Sequence, residues 1–426
     1  MNAAETSSEP APEVLLVAAF DSQLKWCAGL RDAFEARGWH CRVVVPDTRS
    51  ALSDGQVAAA GFDDVDHLTW ARIVDLATAS DVVVSAQSGP LTRRLIGDVA
   101  ARDPQPGPVL VSGWVGVIIE RLTAGYLDRA GCDVVAVNSG DDLAAFRRIA
   151  RALDITEDNL VLSGLPFLST SPRPTSDRPI RTVVFADQPT VPEPWAARRH
   201  LYLRLAEHAR RHPDRTVLLK PRHKPGEDTF HRMDHHPADV LAGENLPPNF
   251  HLTYEPISSM LDHVDLLLTV SSTASLEAVD RGVRVAIVSD LGVREGLGNH
   301  VYLDSGLIRT FDQIDADDIG TPSAGWLESW FGHRSAPAGE LVADRVEKLL
   351  ASGERPGRPV VDAPWFETPE LEDDPRARPV WMTAAWSRRV RERGAVVGTA
   401  AYAGHLLLPP AVTQGARRLR RRAIGR

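Results

Sequence analysis

At 426 residues the chain is too long for one ordinary core, so two domains and a tail are expected. An apolar share of 43% and a charged share of 25% describe a soluble globular protein, and a formal net charge of −9 excludes a general nucleic-acid binder. That average hides a split, because from Arg376 onward twelve arginines face one glutamate, a local +11 that leaves about −20 on the rest.

Residues 1–12 are polar, small and acidic and read as a disordered N-terminus; they lack the basic start and apolar run of a secretory signal. No stretch approaches the ~20 apolar residues of a spanning helix. Three widely spaced cysteines, Cys27, Cys41 and Cys132, form no CxxC pair, so neither a disulfide framework nor a zinc site is readable. Together these features predict a cytoplasmic protein.

From residue 13 to 168 the pattern alternates between short apolar runs and helical periods. Strands are expected at 14–20, 41–46, 81–86, 109–113, 133–137 and 159–163. Helices are expected at 24–37, 67–79, 91–101, 117–129 and 141–153. Continuous apolar strands separated by helices indicate a parallel sheet covered on both faces. Residues 169–179 are rich in Ser, Thr and Pro and read as a linker. The alternation restarts over 180–354, with strands at 182–186, 216–220, 251–254, 266–270 and 283–289. Helices there are expected at 195–211, 257–263, 274–281 and 341–351. Residues 355–426 form a Pro-rich segment and a basic C-terminal tail. The expected fold is therefore α/β: two Rossmann-like, doubly wound parallel sheets whose carboxyl edges face each other across a cleft, plus a basic helical tail.

Within the second domain, the run from Asp265 to Gly282 carries an apolar strand into Ser271-Ser272-Thr273 and then a helix. Hydroxyls and free backbone N–H groups at a helix start suit a phosphate. Capping alone accounts for one hydroxyl there, not for three in a row. Glu277, in the first turns of that helix, is placed to accept from two ribose hydroxyls. Directly after the strand at 216–220 comes Lys220-Pro-Arg-His-Lys-Pro-Gly-Glu227. Lys220, Arg222, His223 and Lys224 on a proline-stiffened loop would clamp an anion, Arg222 as a bidentate fork and the lysines as point charges. A solvated basic turn is the bland alternative. Lysine weakens it, because only Lys25, Lys220, Lys224 and Lys348 are lysines against 44 arginines.

These motifs resemble the Lys-Pro-His-Pro-like and Ser-Ser motifs of capsule-type bacterial transferases, including polysialyltransferases and CDP-glycerol glycerophosphotransferases. The chain looks closest to a glycosyltransferase family of high-GC Gram-positive bacteria, sharing "FDSQLKW", "VVFADQP", "KPRHKPGE" and "SSTASLEA" in order over about residues 14–310. The resemblance implies a GT-B enzyme that moves a sugar from a CMP-, CDP- or UDP-linked donor to a cell-envelope glycan or glycolipid. It implies that His223, Ser271 and Ser272 hold the nucleotide phosphate, and that no metal or other cofactor is needed. His223 is followed by Lys224 before Pro225, which departs from the His-Pro pattern, and the acidic-acidic-Gly motif that supplies the sialyltransferase base has no counterpart.

The base must then come from elsewhere. Asp21, just past the first strand, is the first candidate, and it reads equally as a helix N-cap. Glu120, after the two-glycine corner at 112–116, is the second, and it reads also as a solvated helix-start glutamate. The i, i+4 pair His231 and His235 is the metal possibility, with no acidic or cysteine partner patterned beside it. His236-Pro237 is set aside as a His-Pro motif because no strand precedes it. The tail, with Trp381, Trp386 and its arginines, suits an anionic membrane surface at the inner face of the membrane, and equally a solvated segment or a helix resting on the acidic body. Two other functions share the architecture: a non-hydrolysing nucleotide-sugar 2-epimerase, which would need several carboxylates in the cleft, and an inactive sugar-binding scaffold.

Overall fold

The computed structural model describes residues 10–47, 52, 54–119, 121–225, 233–332, 335–363 and 366. The first sheet is built from β1 (Glu13–Val17), β2 (His40–Pro46), β3 (Asp66–Leu68), β4 (Val82–Ser85), β5 (Val109–Gly113), β6 (Val134–Val137) and β7 (Leu160–Leu162). Between them run α1 (Asp21–Glu35), α2 (Asp54–Ala59), α3 (Trp70–Ala79), α4 (Gly89–Ala100), α5 (Leu122–Leu127) and α6 (Gly140–Ala152). All seven strands are parallel, in the order β3-β2-β1-β4-β5-β6-β7. Runs such as Val82-Val-Val84 are buried on both faces, which is why they read as continuous rather than alternating apolar stretches.

The second sheet contains β8 (Thr182–Ala186), β9 (Thr216–Lys220), β10 (Phe250–Leu252), β11 (Leu266–Thr269), β12 (Arg284–Val288) and β13 (Ile308–Arg309). Its helices are α7 (Trp195–Arg211), α8 (Pro237–Val240), α9 (Ile257–Met260), α10 (Ala274–Asp280), α11 (Phe311–Asp315) and α12 (Ala324–Leu327). These six strands are also parallel, in the order β10-β9-β8-β11-β12-β13. In both sheets the winding reverses beside the first strand, at β1/β4 and at β8/β11. Such switch points open a crevice at the carboxyl edge of a sheet, and here the two crevices face each other.

The expected helix at 117–129 contracts to α5. Arg121, its N-cap, sits in the left-handed region at φ 55°, and the apolar residues before it face the second domain instead of continuing a helix. The elements α2, β3 and β13 are too short to leave a periodic signal. The segment at 169–179 is pinned along the second domain: Arg173 N donates to Asp280 O at 2.9 Å and Ser176 N to Gly282 O at 2.8 Å. Gly282 (φ 74°) permits this approach, since a Cβ there would lie 2.3 Å from Pro174 O.

Helix α13 (Ala338–Ser352) corrects the domain boundary expected at 354. It lies after the second sheet in sequence but packs on α1, burying Val342, Val346 and Leu349 completely. Arg37 of α1 pairs with Glu340 at 2.6 Å and Asp344 at 2.5 Å. Beyond it, α14 (Arg358–Val361) also belongs to the first domain. Gly357 N donates to Asp133 at 3.1 Å, and Arg93 stacks 4.6 Å from the centroid of the Phe366 ring. Of the expected Pro-rich segment and tail, everything after 366 lies outside the described residues, as do residues 1–9. No helix among the described residues is long and apolar enough to cross a membrane.

The α1/α13 contact depends on glycine, because a Cβ on Gly339 would stand 2.3 Å from Gly29 O. Gly339→Ala is therefore expected to destabilise the fold by about 1–3 kcal/mol. The check is a lowered urea midpoint at unchanged slope.

Candidate functional site

The loop after β9 and the loop after β11 stand on either side of the turn that leaves β8. Asp187, at the end of β8, is buried, with its carboxylate held by Tyr202 Oη at 2.7 Å and by Arg198 Nη1 at 3.2–3.3 Å. Tyr202 and Arg198 are i, i+4 neighbours on one face of α7, so one helix delivers both. Arg198 Nη2 also donates to the carbonyls of Gln188 at 2.7 Å and Pro189 at 2.6 Å, fixing the turn. Burial pushes the Asp187 carboxyl up to about 6 despite the Arg198 charge. From this anchor, Asp187 N donates to Lys220 O at 3.0 Å, and Gln188 Oε1 accepts from Ser271 N at 2.9 Å. One buried cluster thus positions both loops. The sequence signal for it was a lone charge ending the apolar strand in "VVFADQP", and it was not singled out as a site.

Lys220 closes β9. Burial and the neighbouring Arg222 push its ammonium down to about 8, against the opposing pull of Asp21 and Asp187. Lys220 Nζ donates to Pro221 O at 3.2 Å. Arg222 Nη2 crosses the cleft and meets both carboxylate oxygens of Asp21 at 2.8 Å. Asp21 is the first residue of α1; the N-cap is Phe20 and Asp21 performs no capping. A second pair across the cleft joins Lys25 to Glu277 at 2.8 Å. The expected base and the expected ribose ligand are therefore both engaged by cations of the opposite domain.

His223 is buried, and Lys224 is exposed on the same loop. The His223 carbonyl accepts from His236 Nε2 at 3.3 Å, while His236 Nδ1 accepts from Ala238 N at 3.1 Å. These partners fix the His236 tautomer with its proton on Nε2, and burial pushes its pKa down. The His236-Pro237 pair set aside in the sequence is thus a support under the motif loop.

The three hydroxyls after β11 do three different things. Ser271 is buried and donates to Leu297 O at 2.7 Å. Ser272 Oγ accepts from Ala274 N at 3.3 Å at the start of α10. Thr273 makes no side-chain cap; its Oγ1 accepts from Val117 N of the first domain at 3.3 Å. Ser272 and Thr273 are half-buried at the cleft.

Glu120 lies outside the described residues, as does His231. The structure brings a different i, i+4 histidine pair beside a carboxylate: His208, His212 and Asp315 have ligand atoms within 4.8 Å of one another. Asp315 already receives His208 Nδ1 at 2.7 Å, Arg204 at 3.3 Å and Arg211 at 3.5 Å. The Asp315 carboxylate is thus already engaged by three donors of the fold.

Beyond Val117, the cleft opens into a cavity of about 640 Å³ between the β5–α5 loop and the start of α6 on one side and residues 295–304, Trp326 and Trp330 on the other. Gly298 (φ 71°) sits between Ile119, which lines the cavity, and Ser271, since a Cβ there would lie 2.9 Å from Ser271 Oγ and 3.1 Å from Ile119. The cavity therefore abuts the serine loop.

Residues 14–349 match a family described as "Putative glycosyltransferase (DUF6716)". The chain belongs to that family. No curated protein shows significant sequence similarity to it. Among solved structures, it resembles a "putative UDP-N-acetylglucosamine 2-epimerase from Listeria monocytogenes" at 13% identity and TM-score 0.52, over 80% of this chain and 96% of that one. Another UDP-N-acetylglucosamine 2-epimerase matches at 13% identity and TM-score 0.50, over 81% and 96% of the two chains. A Polygonum tinctorium UDP-glucosyltransferase matches at 14% identity and TM-score 0.45, over 84% and 98%. At such identities the likeness is one of fold, the GT-B arrangement of two Rossmann-like domains.

The Asp187 anchor makes a direct prediction. Arg198→Leu leaves a buried carboxylate without its cation and should cost about 3–5 kcal/mol. The loss should be larger at pH 8 than at pH 5, because below its raised pKa the orphaned carboxyl takes up a proton. Urea unfolding at the two pH values checks both.

Proposed function

We propose that the protein is a glycosyltransferase that binds a CMP-, CDP- or UDP-linked sugar in the cleft and transfers the sugar to a hydroxyl of a cell-envelope glycan or glycolipid. The observation that carries this reading is the convergence of the Lys220–Lys224 and Ser271–Thr273 loops on the β8 turn, at the carboxyl edge facing the first domain. Departure of the nucleotide concentrates negative charge on its phosphate, and fixed donors at that point stabilise the transition state. Lys220, Arg222 and His223 supply cationic or donor groups, while Ser272 and Thr273 supply hydroxyls and Ser271 shapes the turn. With cations so placed, the transfer needs no bound metal. Membership of the family supports the reaction class.

The ion pairs Asp21–Arg222 and Lys25–Glu277 engage some of these same residues. Both are partly exposed, so each contributes only about 0–1 kcal/mol and yields readily to a phosphate and a ribose.

One observation favours a second reading, 2-epimerisation of a nucleotide sugar. The cleft cavity gathers Asp141, Asp142, Glu295 and Asp304, carboxylates of the kind that chemistry would need. Incubation with a nucleotide sugar separates the two: an epimerase returns an intact epimer, and a transferase releases the nucleotide only as it glycosylates an acceptor.

Thermal unfolding against CMP, CDP, UDP, GDP and their sugars tests the donor site. A ligand at a hundredfold its dissociation constant stabilises by about 2.7 kcal/mol. One nucleotide should raise the wild-type Tm and leave Lys220→Ala and Ser272→Ala unmoved; no shift at millimolar concentration would overturn the reading.

A pH dependence follows from Lys220. The bound phosphate favours the ammonium, so affinity should be constant below about pH 8 and fall up to about tenfold per unit above it. Lys220→Arg should remove that fall.

A further inference from the structure

A transferase of this kind takes a proton from the attacking hydroxyl, and Asp21, paired with Arg222, lies on the cationic side of the cleft. The cleft cavity offers another carboxylate. Asp142 stands in the first turn of α6, where its backbone N donates to Ser139 Oγ at 3.1 Å. Its Oδ2 is buried without a hydrogen-bond partner, as is Nδ1 of His300 on the opposite wall. Buried polar atoms without a partner are uncommon in native structures. Both atoms belong to residues lining a cavity large enough for a monosaccharide and part of its aglycone.

The cavity also has a sign. Asp141, Asp142, Glu295 and Asp304 line it against Arg121 and His300 alone. Among the described residues none of these four carboxylates is in an ion pair, and Arg121 is the one arginine or lysine in the lining. Trp326 and Trp330 form an apolar floor, and Leu303, 64% exposed, extends it to the rim. The cavity meets the serine loop through Val117, whose N–H reaches Thr273. An acceptor seated there lies next to the donor phosphate.

Resting on the glycosyltransferase reading, we propose that this cavity is the acceptor subsite, that it selects neutral or amine-bearing hydroxyl compounds over anionic ones, and that Asp142 is the catalytic base. The acceptor O–H proton passes to the Asp142 carboxylate as the acceptor oxygen bonds to the anomeric carbon. The bond from that carbon to the phosphate oxygen breaks, and its electron pair leaves with the nucleotide, beside Ser272 and Thr273. Burial, offset by the Ser139 hydrogen bond and aided by Asp141, pushes the Asp142 carboxyl up to about 6, a value at which it is ionised at neutral pH and still basic enough to accept the proton.

Three para-nitrophenyl β-glycosides that differ only in charge test this: the glucosaminide, the glucoside and the glucuronide. With the full-length protein, ligand-observed NMR should show the glucosaminide binding at least about tenfold more tightly than the glucuronide. Asp141→Asn combined with Asp304→Asn should narrow that ratio. Asp142→Asn should lower sugar transfer by about 10²–10⁴-fold, while the Tm shift given by the donor nucleotide persists and shows that the variant is folded. Equal or preferred binding of the glucuronide, no binding of any glycoside at millimolar concentration, or wild-type transfer by Asp142→Asn would overturn the proposal. If the nucleotide still shifts the Tm, only the acceptor assignment falls; if no nucleotide binds, the underlying reading falls with it.

Discussion

The structure turns on a charge buried where charge is expensive. Asp187 ends a central strand with its side chain 1% exposed, and only the Arg198 guanidinium and the Tyr202 hydroxyl make that tolerable. A hydrophobic residue would pack there more cheaply. What the buried cluster adds is direction, because a guanidinium binding the Asp187 carboxylate and two backbone carbonyls fixes the turn after β8 in one geometry. Gln188 then holds Ser271, and the Asp187 backbone holds Lys220. The two loops of the proposed phosphate site come from strands on opposite sides of β8, and neither touches the other's strand. Their relative position is set through this one turn.

The second constraint is the route of the chain. By crossing back after α12, it makes α13 a structural part of the first domain and ties the two sheets at a point remote from the cleft mouth. Among the described residues, the polar contacts at the mouth include two ion pairs between partly exposed groups and a 3.3 Å hydrogen bond from Val117 to Thr273. Cavity-filling contacts around α13 cost several kcal/mol to undo, whereas the exposed pairs cost little. The domains are thus firmly joined behind the cleft and weakly latched in front of it, the arrangement a two-domain enzyme needs if its substrates enter between the sheets.

Much of the fold was legible because its signal is local. The ranges 182–186, 195–211 and 216–220 read from the sequence coincide with β8, α7 and β9, since a buried parallel strand and a long amphipathic helix each leave an unbroken pattern. The motif loops were legible for a similar reason, as hydroxyls and cations directly follow those strands. What the sequence concealed is long-range. Nothing near Asp21 announces Arg222, 201 positions away, and nothing in the periodicity of α13 says which of two sheets its apolar stripe will cover. His236 was discounted for lacking a preceding strand, although its part is to brace His223 from across the loop. Asp142 was not singled out in the sequence, and its unpaired, buried oxygen sets it apart from an ordinary helix-start acid.

That distinction bears on how the two halves of the cleft divide their work. The side formed by β9 and α1 carries cations, Lys220, Arg222 and Lys25, of which Arg222 is paired with Asp21 and Lys25 with Glu277. The side formed by α6 and residues 295–304 carries carboxylates that no described cation neutralises. Charge matched inside the protein can be exchanged for a ligand of like kind at little net cost, so the cationic side suits an anion that comes and goes. Charge left unmatched is a standing field at the cavity, attracting cations and repelling anions before any contact forms. A nucleotide sugar placed with its phosphates toward the first side and its sugar toward the second would satisfy both. The reverse orientation would set phosphate against carboxylate.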